Sequence, residues 1–272
     1  MDSIIARRLA IVTTTRCTLR CKLCSNFMPK FVKPADVPYA DIVADVDHAF
    51  ELFDRIEWLQ FVGGEIFMNR DMADVYNYCL KYRGHFDKLV LMTNATILPN
   101  AKEIEALGKY GENCQIQISD YGELSHKMKE TCMLYEKHGI PYIMKTYYGD
   151  AQHFGGWIDN SKLLKSNETT EQAHKRTLGC QQVKLKNMHC YRGQLNRCSQ
   201  SCFMYASGFV KPNEGDFVDL NDASMSTEKK REIIENFYKY PRASCFYCVW
   251  SEMEKNVLPR FPAAEQLAGN DL

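Results

Sequence analysis

Three cysteines, Cys17, Cys21 and Cys24, stand within eight residues in the stretch RCTLRCKLCSNF. Thiolates crowded at that spacing suit a metal, yet three is one short of a closed tetrahedral site and one more than a redox pair needs. On one short loop they can hold three irons of a [4Fe–4S] cube and leave the fourth iron without a protein ligand. A metal with an open coordination position is a reactive site. A structural zinc loop, or three ordinary thiols, is the plainer use of the same residues.

The rest of the composition favours reduced thiols. The chain has twelve cysteines in 272 residues, three of them at 17–24 and six after residue 179. No apolar region followed by a small-residue cleavage site opens the sequence, so a cytoplasmic location is expected and disulfides are not. Formal net charge is zero and the pI is about 7.0, which argues against a strong electrostatic grip on nucleic acid or an acidic membrane. No apolar run approaches the length of a membrane span.

Elements able to position the cysteines alternate along the first half. Arg8–Thr14, Trp58–Val62, Lys88–Met92, Gln115–Ser119 and Tyr142–Tyr147 are β-rich runs. Between them Ala40–Arg55, Asp71–Arg83, Ala101–Tyr110 and Ser125–His138 carry apolar residues at helical spacing, the last with Ser125 as N-cap. Such alternation predicts an α/β fold with a parallel sheet and right-handed crossovers, open or curled into a partial TIM-like barrel of five or six βα units. Ligands gather at the C-terminal strand ends of such folds. There stand the cysteine loop, Gly63-Gly64-Glu65, Thr93-Asn94 and Ser119-Asp120. After about residue 155 the pattern changes to a polar connector over 159–173, a hairpin turning near Arg192-Gly193 and a helix over 227–240. Domains of 1–165 and 166–272 are expected.

Cys17-x3-Cys21-x2-Cys24 after a first strand resembles the signature of the radical SAM superfamily. The resemblance implies that the open iron chelates S-adenosylmethionine, and that an electron from the cluster cleaves the sulfonium to methionine and a 5′-deoxyadenosyl radical. Gly63-Gly64-Glu65 resembles the superfamily's GGE motif, with Glu65 an acceptor for the methionine ammonium and the glycines allowing close approach. The position before the last cysteine, usually aromatic against the adenine, is Leu23 here. Asn94, in a T-N-A where members often show T-N-G, and Ser119 and Asp120 fall where the superfamily contacts ribose and carboxylate. Turn and cap chemistry is their plainer use.

The later cysteines resemble the twitch domain, a shortened SPASM module. That resemblance implies an auxiliary [4Fe–4S] cluster on Cys180, Cys198, Cys245 and Cys248, with a four-cysteine zinc site as the rival. Cys190 and Cys202 are left over, either as buried thiols or with one of them, Cys202 in the first place, as a hydrogen-atom donor to a substrate radical. Size and spacing look most like small twitch enzymes that dehydrogenate or epimerise an aminocyclitol or sugar carbon. A polyol or sugar substrate and an external flavodoxin- or ferredoxin-like reductant are thereby implied, with Lys145 or His153 accepting the hydroxyl proton. Lys145, Tyr147, Tyr148, Asp150, His153, Trp157 and Asp159 are expected to line the substrate pocket. Modification of a ribosomal peptide, and a non-catalytic zinc module, are the alternatives.

Overall fold

Short apolar runs and amphipathic stretches with period 3.6 sort into strands and helices in turn. In the computed structural model, residues 4–150, 152–161, 163–249 and 258–268 are described. The first half runs β1 (Ile5–Thr14), α1 (Tyr39–Leu52), β2 (Arg55–Gly63), α2 (Met72–Cys79), β3 (Phe86–Thr93), α3 (Ala101–Gly108), β4 (Cys114–Asp120), α4 (Met128–Lys137) and β5 (Tyr142–Thr146). The second half adds α5 (Thr170–Thr177), α6 (Gln181–Leu185), β6 (Asn187–Tyr191), β7 (Gln194–Asn196), α7 (Ser199–Ala206), β8 (Phe217–Asp219) and α8 (Thr227–Asn236).

Among the described residues, eight strands form one unclosed sheet in the order β5-β4-β3-β2-β1-β6-β7-β8. Pairing is parallel from β5 through β1 to β6 and antiparallel across β6, β7 and β8. This is the expected mixed α/β partial barrel, with its first strand at the centre. The β1 side chains divide between two cores. Leu9 and Ile11 pack with Ile42, Val46 and Phe61, whereas Ala10 and Val12 pack with Phe27, Met28 and Phe203. Among the described residues, no helix is long and apolar enough to cross a membrane.

Several boundaries differ from the sequence expectation for local reasons. Helix α1 ends at Leu52, because the Asp54 N–H donates to the Ile4 carbonyl (3.0 Å) and draws the chain into β2. Ser125 does not cap α4, which starts three residues later. Its hydroxyl donates to the Asn94 carbonyl (2.8 Å) and accepts the Tyr121 N–H (2.9 Å), joining the ends of β3 and β4. The hairpin turn at Arg192-Gly193 is present. Gly193 has φ +82°, and a Cβ there would lie 2.2 Å from the Asn221 side chain. Within the polar connector, α5 forms behind a capping box of Thr169 and Gln172. Helix α8 stops at Asn236, four residues before the expected end.

Candidate functional site

The cysteine loop leaves β1 in contact with the end of β2. Gly64 N–H donates to the Thr14 carbonyl and Glu65 N–H to the Arg16 carbonyl, both at 3.0 Å. A Cβ on Gly64 would stand 2.0 Å from the Arg16 oxygen, and one on Gly63 2.1 Å from the Thr14 oxygen. Both glycines are thus required by backbone packed on backbone, ahead of any ligand. Asn26 Nδ2 donates to the Gly63 carbonyl (3.0 Å) and closes the loop from its far side.

Glu65 follows the end of β2 and meets the end of β3. Its carboxylate is turned inward and fully buried, accepting from the Asn94 N–H (2.8 Å), the Thr93 hydroxyl (2.9 Å) and the Phe67 N–H (3.3 Å). Burial pushes its pKa up to about 7 against the pull of those donors. Thr93 and Asn94, which hold that carboxylate, reach the cavity wall. The Asn94 side chain donates to Thr18 Oγ (3.2 Å) and lies 3.7 Å from the Cys17 sulfur.

A cavity of about 310 Å³ opens between the cysteine loop and the C-terminal strand ends. Cys17, Cys21, Leu23, Cys24, Gly63, Gly64, Asn94 and Ser119 all line it. Tyr147 and Trp157 line it too, joined by Tyr121, whose ring centroid lies 5.3 Å from Tyr147 and 5.7 Å from Trp157. The other expected residues stand elsewhere. Asp120 accepts the Gly122 N–H (3.0 Å) in the turn after β4. His153 packs edge-on against Tyr147, and burial together with nearby Lys145 lowers its pKa. Lys145 is itself lowered by burial and by Arg8. Neither Lys145 nor His153 is among the cavity's lining residues, nor are Tyr148, Asp150 and Asp159. Cys202 is buried with Phe203 and Met204 in the inner core, and Cys190 lies in the outer one.

The wall also holds residues without a motif: Met92, Asn160, Asn187, His189, Ser199 and Arg260. His189 is 5% exposed and burial brings its pKa to about 4, so it is neutral. Its Nδ1 lies 3.3 Å from the Asn187 carbonyl. A carbonyl can only accept, so the proton is assigned to Nδ1 and Nε2 keeps its lone pair. Alternation along β6 was the one sign that this histidine faces inward with Ala10, its partner in register.

A second cavity, about 20 Å³, is lined by Cys180, Cys198, Cys245 and Cys248 together. Cys180 and Cys198 occupy the N-caps of α6 and α7. Cys245 accepts from the Arg242 N–H (3.3 Å) and from Arg197 Nη1 (3.7 Å). Burial opposes the Arg197 charge, but Cys245, Cys198 and Cys180 hold it cationic. Arg176, paired with Glu168 (2.8 Å), donates to the Cys245 and Cys248 carbonyls at 2.8 and 3.3 Å. These two guanidiniums make the nest suited to a group of net negative charge.

The donor set of the loop fits an iron–sulfur group. Burial pushes the Cys17 and Cys21 thiols up to about 11 and about 12, and raises Cys24 as well. Thiols so placed become thiolates only when a cation takes the proton's place. Among the described residues no three Cys, His, Asp or Glu side chains converge as a single ion requires. The three thiols line one cavity, where a cluster would offer one iron to each.

Comparison with known proteins accords with this geometry. Residues 11–119 match the model of the radical SAM superfamily, and no curated protein sequence matches the chain. The fold is similar to that of BtrN in complex with AdoMet and 2-DOIA, with a TM-score of 0.57 at 13% identity over 88% of this chain and 89% of that one. It is likewise similar to anSMEcpe with bound AdoMet, with a TM-score of 0.52 at 12% identity over 90% and 87%. Streptococcus suis SuiB bound to S-adenosylmethionine aligns at 15% identity and a TM-score of 0.43, over 69% of this chain and 40% of SuiB's length. The stretch that is similar to the radical SAM superfamily, residues 11–119, is thus the one that carries the three-thiol loop and the Gly63-Gly64-Glu65 turn.

Proposed function

We propose that the protein is a radical SAM dehydrogenase that oxidises a carbinol carbon of a sugar, aminocyclitol or similar polyol to a ketone. Bound at Cys17, Cys21 and Cys24, a [4Fe–4S] cluster with S-adenosylmethionine supplies the 5′-deoxyadenosyl radical that takes the carbinol hydrogen atom. The substrate then loses one proton and one electron. Leu23, Gly63, Gly64, Asn94 and Ser119 shape the cofactor's side of the cavity, and Tyr121, Tyr147 and Trp157 the substrate's side. His189 Nε2 accepts the substrate hydroxyl and orients it. The nest of Cys180, Cys198, Cys245 and Cys248 holds a second [4Fe–4S] cluster as electron acceptor.

One observation carries this reading. Cys198 of the nest and Ser199 of the cavity wall are consecutive residues, so an electron leaving the substrate has a short path to the nest. Gln200 ties the same turn to the loop by donating to the Ser25 carbonyl (3.0 Å). Oxidation is favoured over epimerisation because, among the described residues, no cysteine outside the loop lines the cavity. A peptide substrate is the second reading, supported by β5, an edge strand with Ile143 and Met144 exposed.

Anaerobically purified protein is expected to hold about eight irons and eight sulfides per chain. With reductant and a panel of polyols, one 5′-deoxyadenosine should form per ketone. Cys198→Ala should still cleave S-adenosylmethionine but yield no ketone. Zinc in place of iron, or solvent deuterium entering the product carbon, would overturn the dehydrogenase reading.

A further inference from the structure

Residues 258–268 return along the chain to the mouth of the cavity. Phe261 and Trp157 exchange backbone N–H···O bonds at 2.8 Å each, anchoring one end of this strap to the aromatic wall. At the other end Gln266 bridges Cys21 in antiparallel fashion. The Lys22 N–H donates to the Glu265 carbonyl (2.7 Å) and the Leu267 N–H to the Arg20 carbonyl (2.8 Å). Between the anchors Ala264 is buried with φ +56°, the turn that brings the following residues onto the loop.

The Gln266 side chain is held at every polar atom. Its Oε1 accepts the Arg20 N–H (2.7 Å), while Nε2 lies 2.6 Å from the Ala264 carbonyl and 3.3 Å from the Cys21 sulfur. An amide oxygen only accepts, so the Arg20 N–H fixes which end of the amide is oxygen. The NH2 group then faces one carbonyl and one sulfur, with one N–H for each. Among the described residues no other side-chain nitrogen comes as close to a loop sulfur; Asn94 stands 3.7 Å from Cys17.

We infer that Gln266 is a positioning residue that donates an N–H···S hydrogen bond to the Cys21 thiolate and raises the reduction potential of the loop's cluster. The inference rests on the reading that Cys17, Cys21 and Cys24 hold that cluster. Reduction adds negative charge to the iron–sulfur core and its thiolates. A donor aimed at one sulfur therefore stabilises the reduced state more than the oxidised one. Potentials of such clusters respond to hydrogen bonds at sulfur and to solvent exposure. The strap supplies the first and limits the second, Cys21 being 7% exposed.

The test is an EPR-monitored redox titration of the anaerobic, two-cluster protein without S-adenosylmethionine, comparing wild type with Gln266→Met and Gln266→Glu. At a fixed potential the reduced-to-oxidised ratio of the loop cluster should fall about three- to tenfold in the Met variant, the size of one net hydrogen bond. Tenfold corresponds to about 59 mV for a one-electron couple. The isosteric Glu variant, which places an acceptor at the sulfur, should fall further. The nest's cluster should titrate unchanged in all three proteins. Variants with full iron that titrate as wild type does would overturn the inference and leave Gln266 as a seat for the strap. Failure of the underlying reading looks different: Cys17→Ala would then keep the wild-type iron content.

Discussion

The Glu65 carboxylate is sealed from solvent and has three donors aimed at it, from Asn94, Thr93 and Phe67. Glu65→Gln turns an NH2 group toward one of those donors. The expected cost is about 1–3 kcal/mol of stability, with S-adenosylmethionine binding weakened about tenfold as Asn94 loses its anchor. Denaturant unfolding and equilibrium binding measure the two effects, and wild-type values in both would refute the anchoring role. Glu103 offers a pH readout. Its Oε2 accepts the Asn100 N–H (2.6 Å), Oε1 has no hydrogen-bond partner among the described residues, and burial pushes its pKa up to about 7. A folded pKa above the usual carboxylate value means the protonated form is favoured by folding. This contribution is complete below about pH 4 and is lost as pH rises through 7. Wild type should therefore lose about 2 kcal/mol between pH 5 and pH 8 that Glu103→Gln does not lose, as read from the difference between their unfolding midpoints. At this scale the thiols were legible because metal chemistry demands them at fixed spacing. The burial of the Glu65 carboxylate was not legible, since a motif states proximity and not direction. His189, Asn160 and Arg260 had no motif, and only the path of the chain brings them to the wall.

Among elements, the junction of β1, the cysteine loop and the end of β2 is packed backbone on backbone. Gly64→Ala would put a methyl 2.0 Å from the Arg16 oxygen and 2.9 Å from Cys17 Cβ. The backbone on both sides is hydrogen-bonded and cannot yield, so about 3 kcal/mol of destabilisation is expected, with loss of the loop's iron. Gly108, at the end of α3, is different: a methyl added there would meet nothing within 4 Å among the described residues. Gly108→Ala should instead stabilise by roughly 0.5–1 kcal/mol through helix propensity and lower unfolded-state entropy. Parallel thermal melts and iron analyses of the two variants separate a steric demand from a general effect of replacing glycine. The five strands and four helices of the first half were legible because short β-rich runs and stretches of period 3.6 differ so plainly. The start of α4 was not: Ser125 has cap chemistry, and a tertiary partner, the Asn94 carbonyl, took it. The strap was illegible for a related reason, since its register on residues 20–22 depends on where distant chain is delivered.

At the scale of the whole molecule, the second half continues the sheet and the core of the first. Strand β6 pairs with β1 over Arg8–Ile11, extending the same sheet. Met188, Leu195, Val218, Ile234 and Phe237 share one core with Leu9, Ile11 and Ile42. Arg231 reaches back to donate to the Leu52 carbonyl (2.9 Å) at the end of α1. A chain ended at residue 165 would leave β1 as an open, apolar edge and strip its helix-side core of those five residues. At about 1.5–3 kcal/mol for each large apolar side chain left unburied, the loss matches the whole stability of an ordinary domain. The fragment 1–165 should thus show no cooperative transition by circular dichroism, while the full chain unfolds in a single step reported alike by helix content and by tryptophan emission. Two resolved steps in the full chain, or a folded fragment, would mean that the β1–β6 pairing joins two self-sufficient units. The close coupling proposed between the nest and the cavity would then need a flexible interface to sustain it, and α7, which begins at Cys198 and carries Ser199 into the wall, could not fix their separation.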